Sequence, residues 1–82
     1  MFSKILFGQR ILEQRKKHHE TQVALAELLD VKSNHISGIE CGKRTTSAER
    51  IALICQHYKV SADYLLGLTD DPEPKYKAET EG

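Results

Sequence analysis

Gln22, Ala26, Asp30, Ile36 and Ile39 stand at relative positions 1, 5, 9, 15 and 18 of one stretch, a spacing that constrains this 82-residue chain more than any other feature. Two helices joined by a tight turn need a small residue where they touch, and Ala26 supplies it. They need a turn residue that tolerates positive φ, and Asp30 has the short polar side chain for that conformation. They also need apolar anchors under the second helix, and Ile36 and Ile39 fall three apart, on one helical face. The stretch therefore predicts a helix-turn-helix unit over about residues 21–40, with Ser33, Asn34, His35, Ser37 and Gly38 left on the second helix as a small, polar string.

The remaining chain reads as helices around this unit. Ser3 is placed to cap a helix through "KILFGQRILEQRKKHH", where Ile5, Leu6, Ile11 and Leu12 form a partial apolar stripe interrupted by Gly8. Its last turn carries Arg15, Lys16 and Lys17, which suit the negative end of a helix dipole. Thr21 is an N-cap for "QVALAELL", with Leu25, Leu28 and Leu29 at helical spacing. In "TTSAERIALICQHYKV" a Thr46-x-x-Glu49 capping box precedes apolar residues at 51, 54, 55 and 58, the i, i+3, i+4, i+7 pattern of an amphipathic helix. Ser61 caps a last short helix, "ADYLL", which Gly67 ends. No segment alternates as a strand would, and no repeat occurs, so the fold class is all-α: five short helices in one domain over residues 1–68. Residues 69–82, "TDDPEPKYKAETEG", are acidic, proline-containing and poor in apolar residues, and are expected to be a disordered tail.

Composition excludes several function classes. A domain of this size buries only about 60% of its unfolded surface, so nearly every apolar side chain is committed to one core and little remains for a substrate cleft. No spacing sets a nucleophile beside a base, so an enzyme is not expected. Cys41 and Cys55 lie fourteen residues apart without a C-x-x-C, which argues against a zinc site or disulfide; no metal and no cofactor is expected. The longest wholly apolar run, "IALIC", is far short of the roughly 20 residues that span a bilayer, and the start lacks a signal-peptide core, so a cytoplasmic protein without membrane contact is expected. Formal net charge is zero, yet residues 1–59 carry ten Lys/Arg against six Asp/Glu while residues 60–82 carry two against six. The body is basic and the tail acidic.

"RILEQR", "TQVALAELLDV", "NHISGIECGKR" and "VSADYLLG" follow in the order of the phage-repressor/Cro-like (XRE) helix-turn-helix family, which the chain resembles over roughly residues 5 to 67. The resemblance implies a compact five-helix, lambda-repressor-like DNA-binding domain. It implies a homodimeric transcriptional regulator, a repressor in most such proteins, acting on double-stranded DNA at a palindromic operator. By position it puts Ser33, Asn34 and Gly38 on the face that meets base edges, with His35 beside them. It puts Gln22, Lys43, Arg44 and, more weakly, Arg10 against the DNA backbone. Arg15 and Glu40 match a structural ion pair between the first and third helices. The chain departs from the family pattern at Lys32 for a Ser or Thr cap, Asp30 for Gly, and Cys41 for Asn. Gln14 and Glu20 stand where leucine is common, which predicts altered packing of the first helix.

The residues leave some readings open. Asn34 is the sharpest base-reading candidate, because a side-chain amide pairs bidentately with adenine N6 and N7. His35 reads equally as a surface imidazole with no role. Gly38 has no side chain to read with, and is either a gap that admits DNA or a mark of modest specificity. Tyr58, Leu65 and Leu66 are expected in the core, and Tyr64, Leu68 and Leu65 as the dimer contact. The alternative function is a protein-interaction module, such as an antitoxin, that keeps the fold but binds a protein partner.

Overall fold

A computed structural model describes residues 2–74. Its helices are α1 (Lys4–Lys17), α2 (Gln22–Leu29), α3 (Ser33–Glu40), α4 (Ala48–Tyr58) and α5 (Ala62–Leu65), with no strand among the described residues. Ser3, Thr21 and Ser61 each accept a hydrogen bond from the backbone N–H three residues on, as their sequence positions predict. At the head of α4 the cap is Ser47 rather than Thr46: Ser47 Oγ takes the Arg50 N–H, while Thr46 Oγ1 faces His35. Two capping residues in succession made the sequence ambiguous by one position. Asp30 ends α2 in the left-handed conformation at φ 58°, ψ 48°, and Lys59 does the same for α4.

α3 lies at the centre, packed on α2 and across α1, while α5 closes against α1 and α4. Phe7, Ile11, Leu25, Leu29, Ile36, Ile39, Ile54 and Leu65 fill the core, together with Tyr58, Val60 and Tyr64. The apolar face of α1 is thus Phe7 and Ile11, and Ile5 is exposed. Gly8 explains the shift, because a Cβ there would fall 2.0 Å from the Ile39 carbonyl oxygen. Only glycine permits so close a crossing of α1 on α3, and the crossing turns Phe7 inward.

Tyr64 and Leu65 both belong to the core, so neither is free for a dimer contact; Leu68 is 69% exposed. Residues 69–73, expected to be disordered, hold on to the body. Arg10 donates to the Thr69 carbonyl and to Asp70 Oδ1, and the Ser61 N–H donates to the Pro72 carbonyl. Their composition is that of a tail, but backbone carbonyls accept hydrogen bonds whatever side chain they carry. The remainder of the expected tail, residues 75–82, lies outside the described residues.

Candidate nucleic-acid interface

α3 presents two faces of opposite chemistry. Ile36 and Ile39 are fully buried, and they fix the rotation of the helix about its axis. That rotation leaves Ser33 and Asn34 exposed, with His35, Ser37 and Gly38 half-buried beside them. No hydrogen bond among the described residues engages the side chains of Ser33 or Asn34, so both keep donors and acceptors for a partner. Lys32 precedes the helix and offers no side-chain cap. Uncapped N–H groups at that end add a positive potential to the exposed face.

His35 is held sideways, its Nε2 lying 3.2 Å from Thr46 Oγ1 in the loop after α3. Burial first, then the charges of Arg44 and Arg50, hold its pKa below the ordinary histidine value and favour the neutral ring. Lys43 and Arg44 follow α3 and are exposed, and no ion pair among the described residues neutralises either. The end of α3 therefore carries two uncompensated cations beside a polar, unpaired face. That arrangement suits a polyanion.

Beneath this surface lies a polar network. Glu40 at the end of α3 accepts from Arg15 Nε at 2.7 Å and Nη2 at 3.0 Å, a two-pronged pair with side chains only 12% and 5% exposed. The Gln22 amide nitrogen, at the start of α2, donates to Glu40 Oε1 at 2.9 Å. One of its two N–H bonds is thereby used and the other remains for a partner. Arg15 Nη1 also donates to the Glu20 carbonyl, so a single guanidinium ties α1, the turn before α2, and α3 together.

Glu20, where leucine was the family expectation, does not empty the core. Its carboxylate accepts from the Tyr58 hydroxyl at 2.8 Å and lies 2.5 Å from His57 Nε2, linking the α1–α2 corner to α4. Burial works to raise the Glu20 carboxyl, but the Tyr58 hydroxyl and His57 outweigh it and hold the pKa below the ordinary range. Burial, then the Glu20 bond, push the Tyr58 hydroxyl well up. Gln14 is 7% exposed, at the core margin, and among the described residues no side-chain nitrogen or oxygen is buried without a hydrogen-bond partner; His18 Nδ1 lies 2.8 Å from the Gln14 backbone carbonyl one turn away.

The structure does not bring Arg10 to this surface. Its guanidinium donates to the Tyr64 and Thr69 carbonyls and to Asp70, and stacks 4.2 Å from the centre of the Tyr64 ring. Sequence reasoning missed this because the partners lie 54 to 60 residues away. It also missed the Arg50 bond to the Leu29 carbonyl, which anchors α4 on the end of α2. Nothing in the spacing marks either.

A helix-turn-helix family model matches residues 11–65. The uncharacterised HTH-type transcriptional regulator YobD of Bacillus subtilis is 36% identical over 70 residues, covering 85% of this chain and 62% of that protein. The antitoxin PezA of Streptococcus pneumoniae is 32% identical over 80 residues, covering 90% of this chain and 51% of that one. The chain thus spans between half and two thirds of the length of these relatives. Among solved structures, the P22 c2 repressor in complex with a synthetic operator superposes with a TM-score of 0.69 at 32% identity, covering 73% of this chain and 91% of the repressor.

Proposed function

The chain belongs to the helix-turn-helix family, and from that premise we propose that it binds double-stranded DNA in a sequence-specific manner as a transcriptional regulator, with α3 in the major groove. The observation that carries this reading is the exposed, unpaired Ser33–Asn34 face, held outward by the buried Ile36 and Ile39. Short side chains let a helix lie close to base edges, and Asn34 has the amide that pairs with adenine. Gln22, with one N–H left, and Lys43 brace the domain on phosphates. His35, neutral and tied to Thr46, supports the loop more than it reads. Arg10 has no part in the DNA face in this reading. Such a role needs no nucleophile, general acid or cofactor.

Similarity to a repressor solved with operator DNA supports repression as the sense of regulation. A single α3 reads only a few base pairs, too few to specify an operator in a genome, so the reading includes a homodimer on two half-sites about 10 base pairs apart. Leu68 is the exposed apolar residue left near the end of the body to take part in that contact. No helix among the described residues is long and apolar enough to cross a membrane, consistent with action in the cytoplasm.

The test is selection of bound duplexes from a random pool. Enrichment of a two-fold symmetric sequence is the expected result, and recovery of unenriched DNA at every round would overturn the proposal. One observation favours a second reading: the antitoxin similarity covers 90% of this chain. An antitoxin-type protein that binds a protein partner through this fold would show no retention on random duplex at low salt.

A further inference from the structure

Gly38 leaves a vacancy on the reading face, and the structure fills it from elsewhere in the chain. A Cβ built on Gly38 would lie 2.9 Å from Arg44 Cδ and 3.1 Å from Arg44 Cγ. The stem of Arg44 therefore lies over the position that a side chain at 38 would occupy. In a helix the Cα–Cβ bond tilts toward the N-terminus, so that position overlies the preceding turn, which bears Asn34. The guanidinium begins one bond beyond Cδ, so it starts next to that position.

Two anchors hold the loop that delivers it. The Lys43 N–H donates to the Gly38 carbonyl at 3.0 Å, and Thr46 Oγ1 meets His35 Nε2 at 3.2 Å, so Arg44 is suspended between tethers on both sides, each ending on α3. Its charge is felt by His35, where it helps depress the imidazole pKa, in keeping with a guanidinium lying along α3. No hydrogen bond or ion pair among the described residues occupies its donors, in contrast to Arg10 and Arg15, whose guanidiniums are both engaged.

We propose that Arg44 is a base-reading residue, supplying from the loop the reader that Gly38 lacks, and that it selects guanine at one position of each half-site. The inference rests on the DNA-binding reading above. A guanidinium has donors in a fixed fork and no acceptor. In the major groove guanine alone offers two adjacent acceptors, O6 and N7, whereas adenine pairs an acceptor with a donor. Gly38 and Arg44 thus act as one unit: the missing side chain makes room for the stem, and the stem places the fork. A phosphate contact would need only the charge, which lysine also supplies.

The experiment compares wild type, Arg44→Lys, Arg44→Ala and Gly38→Ala on the duplex that wild type selects from a random pool, on its single-base variants, and on random DNA. Wild type is expected to prefer guanine at one position per half-site by about 5-fold to 150-fold. Arg44→Lys should lose most of that preference despite keeping the charge, and Arg44→Ala should lose it too, each falling further on the selected duplex than on random DNA. Gly38→Ala, whose methyl group displaces the stem, should weaken the same preference without lowering the melting temperature, since alanine favours the helix. If Arg44→Lys keeps the wild-type preference at every position, or if Arg44→Ala weakens all duplexes equally, Arg44 is a backbone contact and the proposal is overturned. If wild type enriches a sequence without that guanine, the proposal fails while DNA binding stands. If wild type binds no duplex at all, the DNA-binding reading itself falls and takes this inference with it.

Discussion

Asn34 and Glu20 show how differently two polar side chains of one small domain can act. Asn34 is exposed and bonds to nothing in the described residues, so removing it costs the fold little. Asn34→Ala should leave the melting temperature within about 0.5 kcal/mol of stability, the ordinary range for a surface change. On DNA it should lose about 1–3 kcal/mol of preference at one position per half-site, with binding to random duplex nearly intact. Uniform loss across all sequences, or no loss, would remove Asn34 from the reading face. Glu20, by contrast, works inward through Tyr58 and His57. Because its carboxyl pKa is held below the unfolded value, its contribution is present above about pH 4.3 and is lost as pH falls through the lowered folded value. The melting-temperature gap between wild type and Glu20→Gln should narrow as pH falls below about 4.3, where the carboxylate begins to protonate in the unfolded chain. A gap unchanged down to strongly acid pH would show that the charge plays no part. At this scale the caps Ser3, Thr21 and Ser61 and the left-handed Asp30 were legible in the sequence, since each acts on its own backbone within three residues, whereas the cap of α4 was off by one position. Arg10, Arg44 and Glu20 were not, since what each touches depends on elements that meet only in the fold.

At the scale of elements, α3 is eight residues long and could not persist alone. It is held from two sides: by Ile36 and Ile39 in the core, and by Glu40, through which α1 and the start of α2 are joined to it. Removing one partner of a buried pair strands the other, at a cost of about 3–5 kcal/mol, while an exposed charge contributes under about 1 kcal/mol. Glu40→Ala leaves Arg15 at 12% exposure without its carboxylate and frees Gln22, so it should lower the melting temperature far more than Glu49→Ala in the first turn of α4. Equal melting temperatures would show that the pair adds nothing to the fold. The sequence resemblance placed Arg15 and Glu40 together, but it gave no sign that Gln22 shares the carboxylate. Periodicity was right for only part of the inward face of α1. Of its stripe Ile5, Leu6, Ile11 and Leu12, Ile11 is fully buried, but Ile5 is exposed, and the close approach at Gly8 goes with Phe7 in the core instead. A helix stripe can be read from one segment, but the angle at which another helix crosses it cannot.

Across the whole molecule, formal charge divides between a basic body and an acidic end, and among the described residues no ion pair neutralises Lys43 or Arg44. Arg10, expected on that surface, instead clamps residues 69 and 70 beside α5, so its charge is engaged within the fold. The helix order and the helix-turn-helix unit were both legible, because spacing alone carries them; which cations stay free was not. Binding of a polyanion by the remaining surface through a few phosphates makes equilibrium affinity for duplex DNA depend on salt concentration. Log affinity is expected to fall linearly with log salt, by about 0.9 for each phosphate neutralised, and Lys43→Ala should lessen the slope by about that amount on selected and random duplexes alike. An affinity that does not change with salt, with the same flat line for Lys43→Ala, would contradict the account.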